Sequence, residues 1–314
     1  VLAGQNMSLL VVGSVAFDTV ETPFGKRERA LGGSATYFSI SASFFTKPEI
    51  VAVIGEDFSE EHLALLRSRG IGLSGLTRAP GKTFHWAGHY GFDLNTANTL
   101  ATELNVFQTF SPDLPAELRR SELVFLGNID PDLQWRVLQQ VERPRLVAAD
   151  TMNFWITSKP TELRRVLSKV DLLLVNDAEA RMLAGEHNVV KAARAIIAMG
   201  AKRVAIKRGE YGALLFDGDH VFAAPAFPLP SLFDPTGAGD SFAGGLMGAL
   251  DRSKEIDGAA LRRAIIVGTV MASFVVEQFS VDRFRTLTSA EIHGRYREIK
   301  QLVAFEDIPA DLLG

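Results

Sequence analysis

The chain has 314 residues, 47% of them hydrophobic, enough to bury one large α/β core without a two-domain split. Its formal net charge of −4, with no basic tract and no interleaving of aromatic and basic residues, argues against nucleic acid as a principal partner. The absence of cysteine excludes a disulfide framework, a thiolate metal site and a cysteine nucleophile.

Residues 9–13 form a short apolar run ending in Gly13, the pattern of a buried parallel strand, and Asp18 follows at the edge where α/β sheets collect ligands. Residues 19–30 read as a mixed, turn-containing segment. Gly32-Gly33 permits close backbone approach to a ligand and opens a helical stretch to Phe45. A strand over 50–54 and a helix over 60–70 continue the scaffold. Between Lys82 and Phe110 the composition turns aromatic, polar and β-prone, with Phe84, Trp86, Tyr90, Phe92, Val106, Phe107 and Phe110, and predicts a small β-lid. On a strand His85 and His89 stand about 13 Å apart at Cα, too far to share a metal.

From Leu123 the alternation is regular: strands at 123–126, 146–149 and 172–175, helices at 133–141 and 163–170. Asn128, Asp150 and Asn153 fall just after strands, on the ligand-binding edge. Asn176 and Glu179 share the face of a helix start, which suits either a capping box or contacts to phosphates and their hydrated magnesium. A helix over 189–199, a strand over 203–207 ending in Lys207-Arg208-Gly209, and a hairpin around Asp217-Gly218-Asp219 come next. Residues 259–276 and 289–302 read as the closing helices, and the apolar part from 264 is interrupted by Gly268 and Thr269, too short to span a bilayer comfortably. The expectation is a cytoplasmic protein with no membrane partner, a monomer or homodimer acting on a small molecule.

Residues 234–250 are a small-residue turn running into an apolar helical pattern. The N–H groups of Gly237, Ala238 and Gly239 lie at its open, positive end, which suits a phosphate, and Asp240 at that end would be ionised and able to accept a proton from a hydroxyl. A dinucleotide fingerprint would need glycine where Phe242 stands, and Gly81-Lys82-Thr83 lacks the first glycine of a Walker A loop, Leu76 occupying that position.

Asp234-Pro235-Thr236-Gly237-Ala238-Gly239-Asp240-Ser241-Phe242 closely resembles the C-terminal signature of the ribokinase/PfkB family of carbohydrate and nucleoside kinases. The glycine pair, the lid and Asn176-Asp177-Ala178-Glu179 occur in the family's order, so the resemblance covers nearly the whole chain. It implies a ribokinase-like doubly wound sheet flanked by helices, a single domain over 1–314 with lid segments at about 18–31 and 82–110. Carried over residue by residue, Asp240 is the catalytic base and Gly237, Ala238 and Gly239 the anion hole. Asp18, Gly32 and Gly33, with Asn128 and Asp150, bind substrate, and Asn176, Lys207 and Gly209 bind the nucleotide. Glu179 and Asn176 hold magnesium through water, while Asp234 and Thr236 contribute to a potassium site. The cofactors implied are ATP, Mg2+ and K+.

Two departures bear on the acceptor. Ser34 and Tyr37 stand where ribokinases carry sugar-contacting lysine and asparagine, and Asp150-Thr151-Met152-Asn153-Phe154-Trp155 lacks the arginine of the family's Asp-Xaa-Asn-Xaa-Arg. The implied reaction is ATP-dependent phosphorylation of a sugar or polyol hydroxyl. The alternatives are a nucleoside or heterocyclic-alcohol acceptor, to which Ser34 and a base-stacking lid point, and a catalytically silent binding protein, against which the intact Asp240 and Glu179 count.

Overall fold

A computed structural model describes residues 9–309. Along the chain, β1 (Leu9–Val12) leads to a hairpin of β2 (Ala16–Thr22) and β3 (Gly25–Gly32), then α1 (Ser34–Ala42), β4 (Pro48–Ile54), α2 (Glu60–Ser68) and β5 (Gly72–Arg78). A second hairpin pairs β6 (His85–Tyr90) with β7 (Ala97–Glu103). There follow β8 (Leu123–Leu126), α3 (Pro131–Leu138), β9 (Leu146–Asp150), α4 (Asn153–Ser158), α5 (Pro160–Leu167) and β10 (Leu172–Asn176). Next come α6 (Asp177–Ala184), α7 (Val189–Ala198), β11 (Arg203–Lys207), β12 (Ala213–Asp217) and β13 (His220–Ala224). Helices α8 (Ala238–Asp251), α9 (Gly258–Val275), α10 (Asp282–Thr286) and α11 (Ser289–Leu302) end the described chain.

Nine strands make one sheet in the order β13-β12-β11-β10-β9-β8-β1-β4-β5, parallel from β5 through to β11 and antiparallel at β12 and β13. Its inner strands are apolar on both faces because helices cover both. Leu9 and Val11 of β1 enter the core beneath α1, α8 and α9, while Leu10 and Val12 enter the one beneath α3, α5 and α7. α1 and α8 pack closely: Ser41 Oγ donates to Ser241 O at 2.6 Å, and Phe38 stacks on Phe125 of β8 at 4.4 Å. Helix α9 is long and apolar enough to cross a membrane, but here most of it is buried against α8, α11 and the β12–β13 edge.

A second, four-stranded sheet, β3-β2-β6-β7, stands beside the first. The segment expected as a mixed turn, 19–30, is a hairpin with a register shift between Asp18 and Val20; its outer strand β3 is charged and exposed, with Lys26 paired to Glu28 and Arg29 to Asp57, so no apolar alternation marks it. The small sheet ends earlier than the sequence implies. After Glu103 the chain makes a 3-10 turn, Asn105–Thr109, and Val106 and Phe110 join the core of the large sheet. Phe84 and Phe107 pair there at 5.6 Å.

Candidate active site

The parallel strands β8 to β11 end along one edge, and Asn128, Asp150, Asn176 and Lys207 stand in a row at or just beyond their carboxyl ends. Lys207 turns back along that row to place Nζ 3.0 Å from Asp150 Oδ2. The same ammonium meets the first turn of α8, where a Cβ added at Gly239 would lie 2.8 Å from Nζ. Gly237 caps α8 in the left-handed region, φ 75°, and any side chain there would overlap the ring of Tyr37, so only glycine satisfies both demands. No side chain caps α8. Of the three expected anion-hole amides, Ala238 N–H donates to Pro235 O at 3.2 Å, while those of Gly237 and Gly239 have no partner among the described residues and remain open donors beside Lys207.

Asp240 is half-buried in the first turn of α8. Burial, and then the carboxylate of Asp150, push its pKa up to about 7 against the opposing pull of Lys207. The expectation of a firmly ionised aspartate therefore needs correcting: the positive helix end is outweighed by desolvation and a like charge. Burial and Asp150 likewise raise Glu179. Its Oε2 accepts from Asn176 N–H at 2.7 Å and Asn176 Oδ1 accepts from Glu179 N–H at 2.8 Å, a complete capping box at the start of α6. Capping occupies one of the two carboxylate oxygens of Glu179 and one lone pair of the single side-chain oxygen of Asn176. Among the described residues no three carboxylates or histidines are grouped to bind a metal directly, so the oxygens of Glu179 and Asn176 suit at most a hydrated magnesium ion contacted through its water.

On the other side of Asp240 lies Asp18, buried on β2, with Gly33 N–H donating to its Oδ2 at 3.4 Å and its carboxylate seated where a Gly32 side chain would be. Burial raises its pKa to about 7, and the carboxylates of Asp234 and Asp240 push the same way despite the Gly33 hydrogen bond. Tyr37 is buried nearby with its hydroxyl toward the Asp18 carboxylate, while Asn128 Oδ1 and Thr151 Oγ1 have no hydrogen-bond partner among the described residues. Tyr90 of the small sheet hydrogen-bonds Thr236 Oγ1 at 3.3 Å, closing the lid side onto the α8 turn.

Asp234 accepts from Thr236 N–H at 2.9 Å through Oδ1 and from Ser280 N–H at 3.1 Å through Oδ2, which ties the turn to the segment after α9. Gly209, on the exposed turn after β11, faces the tip of the β6–β7 hairpin: a Cβ there would lie 2.6 Å from Asn95 Oδ1. The row thus divides. Asp150, Lys207, Glu179 and Asn176 gather in one group, Asp18, Gly32 and Gly33 in another, and Asp240 is close enough to act electrostatically on both. Asp150, expected among the substrate contacts, pairs with Lys207. Tyr37 and Tyr90 were not foreseen as part of the site, and the one signal for Tyr37 was its place five residues after Gly32 where asparagine is usual in ribokinases.

An open helix start with a carboxylate inside it, a lysine against its glycines and a second buried carboxylate across the cleft define an ATP-dependent small-molecule kinase on a doubly wound sheet. The model of the pfkB family of carbohydrate kinases matches residues 8–286, and the chain belongs to that family. A cytidine kinase of Thermococcus kodakarensis is 33% identical over 261 residues, covering 80% of this chain and 91% of that protein. An inositol 3-kinase of Arabidopsis thaliana is 24% identical over 94% of this chain and 81% of its own length. Among solved structures, the nucleoside kinase of Burkholderia thailandensis in complex with inosine superposes with a TM-score of 0.76 at 20% identity, over 93% of this chain and 97% of that one.

Proposed function

We propose that this kinase transfers the γ-phosphoryl group of ATP to a hydroxyl of a nucleoside. The observation that carries this reading is the similarity to a cytidine kinase along 91% of that protein's length. The nearness of the Asp18 and Asp240 carboxylates, one to hold hydroxyls and one to accept a proton, supports it. Asp18, with Gly32 and Gly33 held against it, binds vicinal hydroxyls of the acceptor. Asp240 accepts the proton of the hydroxyl that attacks. The open N–H groups of Gly237 and Gly239, the positive end of α8 and the Lys207 ammonium hold the charge of the transferring phosphoryl group, and Asp150 fixes Lys207 in place. Glu179 and Asn176 hold magnesium through water, and magnesium supplies charge screening between the phosphates. Asn176 and Gly209 border the nucleotide.

A cyclic polyol or sugar is the second reading, favoured by the inositol 3-kinase similarity. Potassium at Asp234 and Thr236 belongs to the same proposal: the Asp234 carboxylate keeps lone pairs beyond its two backbone hydrogen bonds. ADP release measured with cytidine, inosine, D-ribose and myo-inositol tests the assignment. Turnover of the nucleosides well above both sugars is expected; turnover of ribose or inositol alone overturns it.

A further inference from the structure

The aromatic residues of 82–110 separate into distinct duties. Phe84, Phe107 and Phe110 pack on one another, Phe92 is 95% exposed at the hairpin tip, and Tyr90 is buried against Thr236. Trp86 does none of these. It is partly exposed on β6, and no aromatic ring of the described residues stacks on it.

The register of the small sheet decides which way Trp86 faces. β2 and β6 run parallel with Asp18 opposite Trp86 and Val20 opposite Gly88, and residues so paired project from the same face. Asp18 and Tyr90 on that face both reach the active site, Asp18 through Gly33 and Tyr90 through Thr236. The indole lies down along the strand rather than standing out from it. A Cβ at Gly88 would overlap its six-membered ring, so the ring rests on the bare glycine backbone, on the face of the small sheet from which Asp18 also projects. Trp86 Nε1 donates to Thr99 Oγ1 of β7 at 3.3 Å, which fixes the ring's rotation.

We infer that Trp86 is the platform on which a planar heteroaromatic group of the acceptor stacks, one strand away from the carboxylate that holds the acceptor's hydroxyls. Neighbouring strands lie about 4.8 Å apart and two residues along a strand span about 7 Å, so the ring over Gly88 and the Asp18 carboxylate are separated by roughly the length of a nucleoside. Gly88 completes the device, since alanine there would lift the indole out of its plane. The inference rests on the nucleoside reading given above and names the residue that recognises the base.

The test compares the parent with Trp86→Phe, Trp86→Leu and Gly88→Ala, using cytidine and inosine as acceptors and D-ribose as the ring-free control. Base stacking on an aromatic side chain contributes about 1–3 kcal/mol, so Trp86→Leu should raise KM for both nucleosides roughly 5- to 150-fold with kcat little changed. Trp86→Phe should restore most of the affinity, Gly88→Ala should resemble Trp86→Leu, and any weak turnover of ribose should be unaffected. Nucleosides should also quench tryptophan fluorescence of the parent in the absence of ATP, and less so that of Trp86→Phe. If the parent turns over cytidine or inosine but Trp86→Leu leaves both KM values unaltered, the platform is refuted while the nucleoside reading stands. If no nucleoside is an acceptor, both fall together.

Discussion

Lys207 Nζ lies 3.0 Å from Asp150 Oδ2 while resting against Gly239, so one ammonium serves a carboxylate at the end of β9 and the open amides at the start of α8. Fifty-seven residues separate the pair in sequence, and only the sheet brings them together. The arrangement gives the start of α8 a fixed positive charge.

Breaking that pair leaves a mostly buried charge without its partner, so Lys207→Met should lower stability by up to about 3 kcal/mol and slow phosphotransfer. Combining it with Asp150→Asn should recover part of the stability and none of the rate. Thermal melts and initial rates on the two single variants and the double variant measure both terms; strictly additive melting losses would show that the residues do not interact.

The pH profile follows from Asp240. With its pKa raised to about 7, the free enzyme holds a proton on its base below that pH, and kcat/KM should fall about tenfold per unit as pH drops below 7. Asp150→Asn removes a like charge and should move this acid limb to lower pH. Stability runs the opposite way. Asp18, also raised to about 7, favours the protonated folded state, so its contribution is full below the unfolded carboxylate pKa and is lost as pH rises through 7. Asp18→Asn should therefore flatten the decline in melting temperature between pH 5 and 8, a decline that the parent shows in the absence of ligands.

Glu179 caps α6 and is proposed to hold magnesium as well, and Glu179→Gln separates the two roles because glutamine preserves the capping box. Activity should need more magnesium for half-maximal rate while the melting temperature holds. An unchanged magnesium titration with a lowered melting temperature would assign Glu179 to capping alone.

Asn95 at the tip of the β6–β7 hairpin sits over Gly209, so the small sheet reaches from Asp18 on β2 to the turn proposed above to border the nucleotide. In hydrogen exchange, acceptor should protect β2, β6 and β7, whereas ATP alone should protect residues 207–209, 237–241 and the tip at 91–96. Equal protection of the small sheet with and without a verified acceptor would mean that it does not act as a lid.

Much of this was legible because it is local. The apolar runs of β8 to β11 sit between amphipathic helices, and the Gly237-Ala238-Gly239-Asp240 turn carries its chemistry in adjacent residues. What escaped depends on distance or exposure. β3 is charged on its open side, β5 is a partly exposed edge strand with glycine at both Gly72 and Gly75, and neither shows a period-two apolar pattern. Val106 and Phe110 read as lid residues from composition, yet they enter the main core through a 3-10 turn that aromatic content does not announce. The pairing of Asp150 with Lys207, the packing of Tyr37 on Gly237 and the raised pKa of Asp240 are all products of tertiary contact.

The most direct test of the account is single-turnover transfer from γ-labelled ATP to cytidine by the parent and by Asp240→Asn. The amide is nearly isosteric but cannot accept the proton. Transfer should slow roughly 10²- to 10⁴-fold while ATP affinity is retained. Labelled cytidine monophosphate formed by Asp240→Asn at the parental rate would contradict the assignment of Asp240 as the base.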